Sequence, residues 1–368
     1  MKTRSFLPAI ILFILVSFAG NVAQAQTYTK KKEVSRSFKA PAGTAVQITN
    51  KYGNINVVPW QKDSVRIEVS MNVQGKQLAK VDKIMSSIDF EMLSFGNYIN
   101  VRTYFRDNQA TFWKDVVSYA GQVINTSNNL QIDYLVYMPS DLDLKIDNKF
   151  GNVYMDSHSG KVDIKIANGD MQGRDFTNTL KLNVEFGNAS LQKVNSGDFN
   201  VNYGELSLTE INSLTLYSRS STLDIEKAKT IEIGSQRDKL TVKSCSVISG
   251  DVSFSRVKIG ELGQSASLNA KYGEFKLNSA DKNFRSIRLN AEYTDILIYL
   301  DASSSFAVDL TYDAKTRLTL APQLSSQLKK ETLNAQLGKV NASGSVGRNA
   351  SSLLYVNTKA GGLSIFSR

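Results

Sequence analysis

One cysteine and one histidine stand in 368 residues. A lone Cys245 can close no internal disulfide. With His158 as the only imidazole, the usual His/Cys zinc sets are excluded. Stability in an oxidising compartment must then come from packing, which a chain of this length can supply. Beyond Ala19 no stretch approaches the roughly 18 uncharged apolar residues of a membrane helix, so no span is expected once the leader is gone. Clustered cations are also missing. The formal net charge is +10, and the excess sits in short runs such as Lys30-Lys31-Lys32 and Lys329-Lys330. From Gly151 to Leu300, 18 Lys and Arg are interleaved with 18 Asp and Glu. A nucleic-acid groove needs grouped cations with stacking aromatics, whereas mixed charge of this kind marks a solvated face.

What is present begins with a leader. Lys2 and Arg4 precede an apolar run from Phe6 to Ala19, and Ala23-Gln24-Ala25 fits a small-x-small cleavage site. The sequence therefore predicts a signal peptide over 1–25 and an exported mature chain, in the periplasm, associated with the outer membrane, or extracellular. No cysteine follows the cleavage site to carry a lipid.

A repeat fills most of the remainder. In LKLNVEFGNASL, Leu180, Leu182, Val184 and Phe186 alternate with polar residues, Gly187-Asn188 interrupts, and Ala189 and Leu191 resume. FNVNYGELSL from Phe199 and LNAKYGEFKL from Leu268 repeat the design, and NKYGN at 50–54 matches NKFGN at 148–152. Period-two alternation predicts half-buried strands. The glycines at 151, 169, 187 and 204 recur at 18, 18 and 17 residues. Units of this size bury an apolar face only by stacking. The expected fold is all-β: a single-stranded β-solenoid (β-helix) with coils of 17–18 residues. An antiparallel barrel of hairpins is the alternative, but like residues at like positions favour coils, as does glycine at only one of the two turns. The expected bends are Gly53, Gly151, Gly169, Gly187, Gly204 and Gly273, each taking positive φ, with Asp238 and Asp295 as substitutes. The expected aromatic ladder is Tyr52, Phe150, Phe186, Tyr203, Tyr272, Tyr293 and Tyr312, its rings in phase with the core.

The repeat is interrupted near the start. Residues 26–74 read as N-terminal strands and a first coil. Leu78, Val81, Met85 and Ile88 fall at helical spacing, and 88–105 reads as a hairpin turning at Gly96-Asn97. Residues 75–130 are thus a small helix-hairpin-loop insertion or cap, ahead of a solenoid over 131–322. An irregular loop follows at 323–350 and a terminal strand pair at 351–368.

Few residues suggest chemistry. His158, in DSHSG, reads as part of a polar turn rather than a catalytic base. Asp141, Asp143 and Asp147 share the outward face of a strand; calcium binding or acid catalysis there competes with a plain solvated face. No G-G-x-G-x-D repeat of calcium-binding rolls occurs. No catalytic residue, metal site or cofactor is expected. Phe112 and Trp113, in the polar stretch 106–128, are candidates for partner contact or for packing as a cap.

The signal ending AQAQ, the recurring K-[YF]-G-N, the helix-hairpin insertion and the coil SLNAKYGEFKLN together resemble the family of Gram-negative surface and periplasmic proteins called putative adhesins. The resemblance runs from about residue 40 onward. It implies a β-solenoid domain related to the heads of auto-transporter adhesins, and no established site residues. The function expected is non-enzymatic: a repetitive polar face offered to a glycan, peptidoglycan or a protein at the cell envelope. A polysaccharide-acting β-helix enzyme, a lyase or hydrolase, is the alternative, and an envelope scaffold without ligand a further one.

Overall fold

The computed structural model describes residues 27–106, 130–336, 338–348 and 350–367. The leader at 1–25 lies outside the described residues, as do Phe112 and Trp113. The described residues are all-β, as expected, apart from helices at Leu78–Ser87 and Pro322–Ser325. Among the described residues no helix is long and apolar enough to cross a membrane.

The alternation sets the strands. In Asn188–Asn202 the side chains of Ala189, Leu191, Val194, Phe199 and Val201 are buried, and their polar neighbours face out. The period slips at Gln192-Lys193 and again at Asn195-Ser196. Successive strands then pair parallel and in register. Leu180 lies beside Gly197, Gly197 beside Leu214, and Leu214 beside Ile231. A residue thus meets its counterpart 17 or 18 positions on, about 4.8 Å away. The core is a set of columns, such as Ile146, Ile164, Leu182, Phe199, Leu216 and Ile233. Each such burial is worth about 1.5–3 kcal/mol.

Spatial order departs from chain order at both ends. Ala45–Lys51 lies between Tyr98–Phe105 and Asp143–Lys149, parallel to both. Ile55–Pro59 lies between Leu130–Met138 and Val153–Met155. At the other end Ser352–Lys359 fits between Ser286–Glu292 and Phe306–Tyr312, and Gly361–Ser367 between Asp295–Leu300 and Thr316–Leu320. The strand pair at the C-terminus is therefore not the last rung but an interior one. Antiparallel pairs form the edges: Tyr28–Lys39 on Ser64–Gly75, Ile88–Phe95 on Tyr98–Phe105, and Leu328–Asn334 on Lys339–Val346. Charged residues on two of these outer strands, Lys30 to Lys32 and Lys329-Lys330, discourage further pairing.

Two expectations need correction. The segment 323–350 is not irregular; it holds the end of the short helix and the antiparallel hairpin. Leu328–Asn334 is exposed at nearly every position, so no alternation betrays it as a strand. Asp295 is not a bend residue. Thr294 takes the place that glycine holds in other rungs, and Asp295 follows it.

Candidate functional site

The recurrent corner is built differently from the sequence expectation. Gly53, Gly151, Gly169, Gly187, Gly204 and Gly273 do not take positive φ. The residue before each does: Tyr52, Phe150, Asn168, Phe186, Tyr203 and Tyr272, with φ between 54° and 71°. Ser220, Arg237, Phe254, Tyr293 and Ala360 continue the column. Glycine is needed for a different reason. A Cβ on Gly187 would sit 1.9 Å from the Gly169 carbonyl oxygen, and one on Gly204 would sit 1.8 Å from that of Gly187. The backbones pass too closely for any side chain.

The left-handed residue also turns its side chain outward, so the rings do not point with the core. Phe150, Phe186, Tyr203, Tyr272 and Tyr293 are about half exposed, and only Tyr52 is buried, at 6%. Left-handed backbone costs an L-residue about 1–2 kcal/mol. Ring stacking offsets part of that cost. Centroids are 5.3 Å apart for Tyr52–Phe150, 5.0 Å for Phe186–Tyr203, 5.0 Å for Phe254–Tyr272 and 5.2 Å for Tyr272–Tyr293, all nearly parallel. That separation is close to the strand spacing, so one ring per rung stacks without adjustment. Tyr312 is not in this column; its rung turns without a left-handed residue there. Phe254 belongs to the column and was missed, because Ser255 follows it instead of glycine.

Each letter of NKYGN has a task. Asn50 is buried, and its Nδ2 donates to the carbonyls of Gly53 and Ile132; Asn148 Nδ2 donates to those of Gly53 and Gly151. The Lys51 ammonium lies 4.9 Å from the Tyr52 ring centroid. The final Asn or Asp builds a ladder. Asn54 Oδ1 accepts from the Asn152 N–H, Asn152 Oδ1 from Asp170 N–H, Asp170 Oδ1 from Asn188 N–H, and Asn188 Oδ1 from Glu205 N–H.

From Ser221 to Ser255 the corner uses a second chemistry. Ser221, Asp238 and Ser255 stand in the glycine place with buried side chains. Ser221 Oγ and Ser255 Oγ each donate to the carbonyl two residues back, at 2.9 and 2.8 Å. Asp238 is 4% exposed and receives four donors: Ser218 Oγ and Ser235 Oγ at 2.7 Å, and the N–H groups of Ser221 and Gln236 at 2.7 and 3.0 Å. It is an inward hydrogen-bond hub, not the positive-φ substitute expected.

The remaining sequence candidates are not brought together. His158 is buried; its Nε2–H donates to the Leu142 carbonyl at 2.7 Å. Burial lowers its pKa, against smaller opposing effects of that bond and of Asp141 and Asp143. The unfolded chain therefore binds a proton at a pH where the fold does not, and stability declines as pH falls below the ordinary histidine range. Replacing His158 by Asn should flatten the melting temperature between pH 7 and 5; an unchanged slope would contradict this. Cys245 is buried and its thiol is pushed up to about 12 by desolvation, so it is a core residue and no nucleophile. Asp141 and Asp143 are exposed, and Asp143 Oδ1 accepts from the Lys161 N–H. Among the described residues no group of three or more His, Cys, Asp or Glu could hold a metal.

The notable concavity lies on the sheet face before the corner. One outward column runs Asn183, Asn200, Tyr217, Gly234, Asp251, Asn269, Asn290 and Asn357. Asn290 Nδ2 donates to Asn269 Oδ1 at 3.0 Å, and Asn269 Nδ2 to Asp251 Oδ1 at 2.8 Å. Over Asp251 to Asn357 the column floors a cavity of about 1060 Å³. The turn Tyr312–Lys315 and the hairpin residues Ala335, Gln336, Gly338 and Lys339 also line it. A second hollow of about 480 Å³ shares Asp251, Asn269 and Lys271 with it and reaches Tyr217 and Asn200. At its centre, Gly234 leaves room for the Tyr217 ring: a Cβ there would lie 2.8 Å from Tyr217 Cδ1. The ring rests over the neighbouring rung and is 54% exposed. This column had a readable signal. Asn or Asp stands three places before the corner residue in NVEFG, NVNYG, DVSFS, NAKYG, NAEYT and NTKAG.

No family model matches the chain, and no curated protein matches it. Several solved structures do. One, described as a putative cell adhesion protein from Clostridium sporogenes, is 10% identical, covers 92% of this chain and 100% of its own, and has a TM-score of 0.21. A putative adhesin from Bacteroides fragilis is 10% identical over 92% of this chain and 97% of its own, with a TM-score of 0.26. A structure described as a putative lipid binding protein from Parabacteroides distasonis is 8% identical over 73% of this chain and 92% of its own, with a TM-score of 0.30.

Proposed function

We propose that this chain is an exported β-solenoid, akin to the putative adhesins it resembles, that binds an extended glycan or protein at the cell envelope without catalysis. The observation that carries the reading is the long in-register polar column with its adjoining hollows, which offers one chemistry at a fixed repeat. A linear partner with its own repeat is the natural complement of such a surface. The place of action follows from the leader: periplasm, outer-membrane surface or outside.

The hydrolase or lyase alternative has one supporting feature, the carboxylates Asp251, Glu292 and Asp313 in the larger hollow. Two are already engaged. Asp251 accepts from Asn269. Asp313 accepts from Ala360 N–H, Thr316 Oγ1 and Lys315 N–H. Burial works to raise the Asp313 pKa, but these bonds outweigh it and hold the carboxyl below its usual range, the wrong direction for a general acid.

The test is a glycan array and an envelope-fraction pull-down with the mature protein, beside protease accessibility on intact cells. Selective retention of a glycan or an envelope protein is expected. No retention in either assay, or turnover of a polysaccharide, would sink the reading.

A further inference from the structure

Resting on that reading, we propose that the column from Tyr217 to Asn357 is a binding groove for an unbranched neutral polysaccharide, lying along the stack with Tyr217 as its stacking platform. Three observations converge. First, three of the six floor residues, Asn269, Asn290 and Asn357, are carboxamides. Each has two N–H donors and a carbonyl acceptor. Asn269 and Asn290 each spend one N–H along the column, leaving a donor for a ligand at successive rungs. Sugar hydroxyls donate and accept in the same way, so a hydroxyl-rich chain suits this row better than an apolar peptide. Second, Gly234 and Tyr217 make a flat ring on an otherwise polar face, more than half exposed. The aliphatic face of a pyranose covers such a ring without stranding a polar group. Third, the two hollows adjoin, sharing Asp251, Asn269 and Lys271. Six rungs separate into five intervals of about 4.8 Å, giving a length of roughly 24 Å, enough for several sugar rings in line.

Charge selects the class. Lys271, Lys315, Lys339 and Lys359 in the larger hollow are countered by Asp251, Glu292 and Asp313. With four ammonium groups against three carboxylates the hollow offers a polyanion or a polycation little net attraction. A neutral chain needs none, and the lysines and Glu292 can bond its hydroxyls.

Affinity electrophoresis of the mature protein in gels cast with the linear neutral chains pullulan, lichenan or glucomannan, and with alginate or polygalacturonate as acidic counterparts, tests this. Retardation by at least one neutral polysaccharide is expected. Tyr217→Ala and Asn290→Ala should each weaken it by about tenfold. Both positions face outward, and melting temperatures confirm that the variants fold. Tyr104→Ala, on the exposed terminal hairpin, should leave binding unchanged. Retardation by a neutral chain that survives both groove substitutions overturns the groove and leaves the broader function standing. Retardation by acidic chains alone overturns the ligand class. No retardation in any gel, with protein retention in the pull-down, overturns glycan binding while keeping a protein partner.

Discussion

Replacing Gly187 by alanine should cost about 3 kcal/mol of stability, far above the loss for an ordinary surface methyl group. The added Cβ would lie 1.9 Å from the Gly169 carbonyl oxygen, which belongs to the backbone of the preceding rung. No rotamer change relieves a clash between two backbones. The rungs have to part, and the parallel ladder on both sides resists. An account based on left-handed glycine backbone would assign alanine here only about 1–2 kcal/mol. Tyr203→Asn is the companion variant. Tyr203 carries the left-handed backbone, with φ of 56°, and asparagine tolerates that conformation better than tyrosine. The loss of ring stacking on Phe186 is set against that relief, so the net change should stay within about 1 kcal/mol. Urea midpoints for the two variants separate the explanations. Equal small losses would return the corner to a φ argument.

The second large effect is expected at Asp238. Alanine there removes the acceptor of four hydrogen bonds and leaves two hydroxyls and two backbone N–H groups pointing into a closed space. Each buried unsatisfied donor costs about 1–3 kcal/mol, and the hydroxyls can turn to other acceptors, so a total loss of about 3–5 kcal/mol is expected. Asp238→Asn keeps the size and one acceptor oxygen, and its loss should be smaller. The check is the order of the denaturation midpoints: wild type, then Asn, then Ala. A wild-type midpoint for the alanine variant would mean that the hub carries no weight.

How far the sequence spoke depends on the element. The alternation of Leu180, Leu182 and Val184 and the repeat of Gly151, Gly169, Gly187 and Gly204 set strand faces and rung length, because both follow from side-chain period and spacing. The direction of Phe186 and Tyr203 was misread. Extending period two to the aromatic assumes extended backbone up to the glycine, and one left-handed residue reverses the face. Rung order at the ends was legible only in part: the match of NKYGN to NKFGN marks Asn50-Lys51 and Asn148-Lys149, which the register pairs, but nothing local announces that Ser352–Lys359 lies between Ser286–Glu292 and Phe306–Tyr312. The hub at Asp238 was not legible, since its place in the repeat suggests a glycine substitute and its donors Ser218 and Ser235 meet it only in the fold. The asparagines three places before several corners were legible in principle, and their meaning appears only when the register aligns them in one column.

The central claim is that residues a rung apart lie side by side in parallel register. Paired cysteines test it most directly. Ser190 and Ser207 are register partners on the outer face, about 4.8 Å apart, within disulfide reach. Oxidation of Ser190→Cys/Ser207→Cys should close a crosslink, while Asn200→Cys/Ser207→Cys should not. A two-residue hairpin turn at Tyr203-Gly204 would place Asn200 opposite Ser207, so the reverse outcome would contradict the stack.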